Sequence, residues 1–156
     1  MAKELKIGDP APSFTCPANG GQTVSLSDFA NRKLVIYFYP KDNTPGCTTE
    51  AIDFSRLAPD FRKAKATVLG CSRDTVAKHD KFVAKHDLAV RLLSDTDGKA
   101  CEAYGVWVEK SMYGKKYMGI ERATFLIDER GALRRAWCKV KVPGHVDEVL
   151  EAARNL

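Results

Sequence analysis

Lys33-Leu-Val-Ile-Tyr-Phe-Tyr-Pro-Lys-Asp-Asn-Thr-Pro-Gly-Cys-Thr-Thr-Glu50 is the stretch on which the fold of this chain turns. Its first seven residues are almost continuously apolar and rich in β-branched and aromatic side chains. That is the pattern of a strand buried on both faces rather than one facing water. Pro40 ends the strand because it brings no N–H to the ladder, and Lys41 to Gly46 is a run of turn formers. From Thr48 a helical period begins, with Ala51, Phe54, Ala58 and Phe61 on one face; Pro59 predicts a break near Ala58. A buried strand feeding a helix through a turn is the first unit of an alternating α/β chain.

The same alternation continues outward. Ala66-Thr-Val-Leu-Gly-Cys-Ser72 reads as a second buried strand, and Asp74 or Thr75 caps a helix carrying Val76, His79, Phe82, Val83 and His86. Arg91-Leu-Leu-Ser94 is a short strand, followed by a helix over residues 99–104. Residues 123–128 and 133–138 flank Glu129-Arg-Gly131 as a hairpin. Val146, Val149, Leu150 and Ala153 mark a last helix that docks on the sheet. This order predicts a single α/β domain over residues 1–156, with a central mixed sheet flanked by helices and an N-terminal extension. Ligands of such sheets gather at the carboxyl ends of the strands, and the loop after Tyr39 lies at one.

Composition bounds the function. With 156 residues, 44% hydrophobic and 29% charged, the chain is an ordinary globular one, and no apolar run approaches the ~18 residues that span a bilayer. The start has no continuous apolar core of the kind a secretory signal needs, so cytoplasmic residence is expected. The net charge of +5 is spread among 20 acidic residues without a basic block, which argues against a nucleic-acid partner. Five cysteines at irregular spacing, none in a CxxC pair, argue against a disulfide scaffold and a zinc knuckle. His79 and His86 are too far apart on one helix to bind a metal together, and His145 reads as a capping or solvated residue.

Cys47 stands apart by its setting. Between a turn-rich loop and a first helical turn, its sulfur lies near unpaired backbone N–H groups and the positive end of the helix dipole. Both favour thiolate, the nucleophilic form. Pro40 and Pro45 stiffen the loop, Gly46 leaves room beside the sulfur, the Thr44 hydroxyl both donates and accepts, and Glu50 is placed to orient a cation.

The segment from Tyr39-Pro-Lys-Asp to Thr44-Pro-Gly-Cys47-Thr-Thr-Glu50 closely resembles the active-site segment of peroxiredoxins, in the form of the bacterioferritin-comigratory or PrxQ branch. The resemblance covers nearly the whole chain, including Ile7-Gly-Asp-Pro-Ala-Pro-Ser-Phe14, Ser72-Arg-Asp74 and Gly119-Ile-Glu-Arg-Ala-Thr-Phe-Leu-Ile-Asp128. It implies a thioredoxin-like fold and a thiol-dependent peroxidase acting on hydrogen peroxide and organic hydroperoxides. It further implies that Cys47 attacks and becomes sulfenic acid, and that Arg122 is the catalytic arginine. Thr44 and the backbone at Gly46 and Cys47 would hold the peroxide, Pro40 would shield the site and Glu50 would support Arg122. No metal or organic cofactor is implied; the reductant would be thioredoxin, glutaredoxin or a small thiol, and the protein a monomer without membrane contact.

The chain departs from the family where the sulfenic acid is resolved. The two usual positions of a resolving cysteine are occupied by Ile52 and Val83. Three routes stay open: direct reduction by an external thiol, resolution by Cys71 or Cys101 after local unfolding, or an engineered loss of a natural thiol. Cys71 and Cys101 read better as core residues, and Cys16 and Cys138 offer less. A thiol–disulfide oxidoreductase is disfavoured by the missing CxxC, and a binding module acting through the basic surface by the lack of an aromatic–basic patch.

Overall fold

The computed structural model describes residues 5–156; residues 1–4, part of the start read above as lacking a secretory signal, lie outside them. Two short antiparallel strands, β1 (Thr15–Pro17) and β2 (Thr23–Ser25), form the N-terminal extension. Then come β3 (Lys33–Phe38), α1 (Pro45–Arg56), α2 (Ala58–Lys63), β4 (Ala66–Ser72), α3 (Val76–His86), β5 (Arg91–Ser94) and α4 (Lys99–Ala103). The second half holds β6 (Trp107–Met112), β7 (Lys115–Ile120), β8 (Ala123–Ile127), β9 (Leu133–Trp137) and α5 (His145–Arg154).

The central sheet runs β5-β4-β3-β8-β9. β3 pairs in parallel with β4, and β4 with β5, whereas β8 lies antiparallel to both β3 and β9. This is the mixed sheet that the order of elements predicts, in the thioredoxin-like form that the resemblance implies. All six residues of β3 are buried, because it has a neighbour on each edge and packing on each face. Leu34, Ile36 and Phe38 point to one face, with Cys16, Cys71, Cys101 and Tyr104. Val35, Tyr37 and Tyr39 point to the other, with Cys47, Phe54, Phe61, Phe82 and Val149. Tyr37 and Phe54 stack at 4.4 Å between ring centroids, and such large side chains each contribute about 1.5–3 kcal/mol on burial. Lys33 threads beneath this face, its ammonium donating to the Ala64 and Ala153 carbonyls at the ends of α2 and α5.

Sequence and structure part in two places. α1 begins at Pro45, not Thr48: proline has no N–H to lose in a first turn, and its fixed φ suits it. The break near Ala58 does occur, since Pro59 cannot supply the N–H that would continue α1 and instead opens α2. The β6–β7 hairpin was not predicted. Its residues are mostly exposed, so no apolar alternation marks it, and its turn is Tyr113-Gly114, both at positive φ. Of the two possible caps for α3, Thr75 takes the role, its hydroxyl accepting from the Lys78 N–H at 3.3 Å.

Candidate active site

Three segments distant in sequence meet at the carboxyl end of β3. The loop after Tyr39 turns into α1, whose N-cap Thr44 is extended. Its hydroxyl donates to the Lys41 carbonyl at 2.8 Å and leaves the first turn of α1 without a side-chain cap. Cys47 lies in that first turn and is only 1% exposed. The antiparallel register pairs Phe38 with Ala123, so Arg122, just before β8, emerges beside the end of β3.

Arg122 joins the segments. Its Nη2 donates to Cys47 Sγ at 3.2 Å and its Nη1 to Glu50 Oε1 at 2.7 Å. The backbone must pass close to allow this: a Cβ on Gly46 would sit 3.2 Å from the same Nη2. Burial works against the guanidinium charge, but Glu50 and Cys47 outweigh it and push Arg122 above its usual value. Glu50 is fully buried, with Oε2 unpartnered. Burial pushes its carboxyl up to about 7, and Arg122 offsets only part of the shift. A second cation, Lys110 on β6, is drawn below its usual value by burial and by Arg122, while Cys47 opposes this. Such a buried thiol held by a fixed cation and uncapped N–H groups is arranged as a nucleophile.

Of the residues expected here, Cys47, Arg122, Glu50 and Gly46 are brought into one cluster. Thr44 borders it, but its hydroxyl points to Lys41 rather than to the sulfur. Pro40 is exposed at the rim of a shallow depression shared with Arg73, Trp107, Lys110, Met118 and Ile120. Trp107 is half-buried beneath the Arg73 guanidinium, 4.6 Å from its ring.

The other cysteines are placed differently. Cys16, Cys71 and Cys101 are buried on the opposite face of the sheet from Cys47, so the sheet stands between them and its sulfur. Burial pushes the Cys16 thiol up to about 12 and Cys71 well above its usual value. The Cys71 and Cys101 sulfurs lie within 4.8 Å of an Asp95 carboxylate oxygen, but that carboxylate already accepts from the Ala100 and Cys101 N–H groups. Cys138 is exposed just beyond β9, which runs parallel to β3 and so ends at the same edge as Cys47.

Sequence reasoning missed two histidines. His145 is neither a cap nor solvated: it is 5% exposed, and its Nε2 is 2.8 Å from the Thr124 hydroxyl. His79 is fully buried, between Asp42 and the Leu93 carbonyl. Asp42 stands inside the quoted motif, but nothing in its spacing identifies a partner on α3.

The AhpC/TSA family model matches residues 7–136. The chain is 52% identical over 147 residues to peroxiredoxin Bcp of Xanthomonas campestris, covering 93% of this chain and 92% of that protein. A solved structure of the X. campestris bacterioferritin comigratory protein, described for its alkyl peroxide reduction activity, superposes with a TM-score of 0.87 at 51% identity, covering 91% of this chain and 90% of that one. A cysteine-to-serine variant of PrxQ from Xylella fastidiosa superposes with a TM-score of 0.93 at 44% identity, covering 99% and 98%.

Proposed function

This chain belongs to the AhpC/TSA family of peroxiredoxins and is a thiol-dependent peroxidase, and we propose that Cys47 is the thiol that attacks the peroxide. The observation that carries this reading is the 3.2 Å contact from the Arg122 guanidinium to Cys47 Sγ inside a buried first helical turn. An arginine is always charged, so it stands ready to meet the charge that grows on the leaving oxygen.

The thiolate attacks one oxygen of ROOH. An S–O bond forms as the O–O bond breaks, sulfur gives up two electrons, and the departing RO⁻ takes a proton from solvent and leaves as ROH. The N–H groups of Gly46 and Cys47 donate to the peroxide oxygens, and the Thr44 hydroxyl oxygen, whose own hydrogen goes to the Lys41 carbonyl, accepts from the peroxide O–H. Glu50 keeps Arg122 aimed at the sulfur, and Pro40 limits water at the rim. The substrates are hydrogen peroxide and organic hydroperoxides, the latter in keeping with the alkyl peroxide reduction described for the X. campestris relative. The chemistry calls for no metal or organic cofactor, because sulfur itself takes the two-electron change.

Recovery follows a one-cysteine cycle. An external thiol attacks the sulfenic acid, forming a mixed disulfide and releasing water; a second thiol then returns Cys47 to its reduced form. Thioredoxin, glutaredoxin and glutathione each supply such thiols. The burial of Cys71 and Cys101 beyond the sheet supports this route over an internal disulfide. The chain works as one cytoplasmic domain and as a monomer. No helix among the described residues is long and apolar enough to cross a membrane.

One experiment tests both halves. The protein receives one equivalent of peroxide, free thiols are blocked, and peptides are mapped by mass alongside peroxide consumption by Cys47→Ser. A sulfenic acid or mixed disulfide at Cys47, with an inactive variant, is the expected result. Undiminished turnover in Cys47→Ser would sink the assignment, and a disulfide from Cys47 to Cys71, Cys101 or Cys138 would overturn the one-cysteine cycle.

A further inference from the structure

Asp42 lies in the loop between β3 and α1, with its carboxylate 3% exposed. Oδ1 accepts from the Tyr39 hydroxyl at 2.6 Å, and Oδ2 lies 2.6 Å from His79 Nδ1 on α3. The Asp42 N–H donates to Asp74 Oδ2 at 2.9 Å, an oxygen that also accepts from the Ser72 hydroxyl at 2.7 Å. His79 Nε2 donates to the Leu93 carbonyl at 2.9 Å. The ends of β3, β4 and β5 and the first turns of α3 therefore converge on one loop residue. A carbonyl only accepts, so Nε2 carries a hydrogen, and the short Nδ1 contact holds a second proton between imidazole and carboxylate. Each of the three would-be ligand groups of Asp42, Asp74 and His79 already has a hydrogen-bond partner. The cluster is a clasp and not a cation site.

The clasp bears on Cys47 because that residue has two conflicting tasks. A small peroxide can reach a sulfur that is 1% exposed, but a disulfide to another molecule needs the sulfur in water. Exposure requires the first turn of α1 to move with residues 40–44. That turn has no side-chain cap, and its preceding loop is fixed through Thr44 to Lys41 and through Asp42 to α3. The Asp42 N–H is also held by Asp74 Oδ2, so two anchors reach outside the loop, both at Asp42, and only the carboxylate joins it to α3.

We propose that His79 is a positioning residue that clasps residues 40–44 to α3 and so sets the balance between a buried, peroxide-reactive Cys47 and one open to an external thiol. The proposal rests on the reading of Cys47 as the attacking thiol. Loosening the clasp moves the two half-reactions in opposite directions. Oxidation slows because the peroxide-binding arrangement is less populated, and reduction of the sulfenic acid speeds up because the open form is more populated.

The test is stopped-flow kinetics on His79→Gln in the full chain. Hydrogen peroxide is the oxidant, and 5-thio-2-nitrobenzoate is the reducing thiol, which forms a mixed disulfide with oxidised Cys47 and releases water. Oxidation is expected to fall at least about tenfold, as for a displaced reacting group, while reaction with the thiol rises several-fold. More peroxide is then needed to drive Cys47 to sulfinic acid. Asp42→Ala removes the carboxylate end of the clasp, should shift both rates the same way, and decides the matter if His79→Gln does not fold. Parent-like rates in both variants, or a fall of both half-reactions together, overturn the proposal. Those outcomes leave the Cys47 assignment standing, because that fails only if Cys47→Ser still consumes peroxide.

Discussion

The two faces of the central sheet both bury cysteine, and only one sets a cation against the sulfur. Cys47 is 1% exposed; Cys71 and Cys101 are each 0% and Cys16 is 4%. Burial alone thus separates nothing. Around Cys71 and Cys101 the neighbours are Ile36, Phe38, Leu93 and Tyr104, and the charge of Asp95 pushes the Cys71 thiol further up. Around Cys47 a guanidinium and the open N-terminus of α1 converge. The same side chain sits among apolar neighbours on one face and beside a fixed positive charge and unpaired backbone N–H groups on the other, the polar setting that the proposed chemistry needs.

The sharpest way to break this contrast is to remove the cation. Arg122→Met is expected to lower kcat/KM for hydrogen peroxide by about 10²–10³, as for loss of one transition-state donor. A variant within a factor of two of the parent would leave the two faces without their distinguishing feature.

The next effect concerns what the active face costs the fold. Glu50 is pushed up to about 7 by burial, from an ordinary 4.5. Between those values the native state keeps a proton that the unfolded chain has lost, so stability should fall as pH rises across that window. Glu50→Gln should flatten this dependence, a difference of about 2–3 kcal/mol between pH 4.5 and 7.5 in chemical denaturation. Parallel curves for parent and variant would show that Arg122 fully compensates the buried carboxylate.

A smaller effect tests how closely the backbone must approach. Gly46→Ala would set a methyl 3.2 Å from Arg122 Nη2, and displacing the guanidinium should slow peroxide reduction about tenfold. Thermal stability should change little, since only the far end of a side chain has to yield. Smallest is the control on the other face. Cys71→Ala should cost about 1 kcal/mol in denaturant unfolding and leave the peroxidase rate unchanged. A slower enzyme would bring that face into the chemistry after all.

Much of the fold was legible because buried strands and amphipathic helices write their periods into the chain. The strand from Lys33, the strand over Ala66–Ser72, the break at Pro59 and the β8–β9 hairpin all follow from apolar runs and turn formers. The β6–β7 hairpin was not legible, since exposed strands with Lys, Glu and Tyr carry no such signal, yet it contributes Lys110 and Trp107 near the cluster. In the cluster itself, Cys47, Thr44, Pro40 and Glu50 lie within one motif, and Arg122 was found through the resemblance alone. Thr44 also shows the limit of a motif, which fixes a residue type but not the direction of its hydroxyl.

By itself, then, the sequence determined the alternating elements and set a cysteine at a helix start behind Thr44-Pro-Gly, because both depend on neighbours along the chain. Tertiary structure decided how Arg122, which only the resemblance had pointed to, is brought to that sulfur, and which cysteines the sheet hides from it. It also joined Asp42 to His79, 37 residues away. Such pairings are set by strand register and by the two faces of a pleated sheet, and neither is encoded in local spacing.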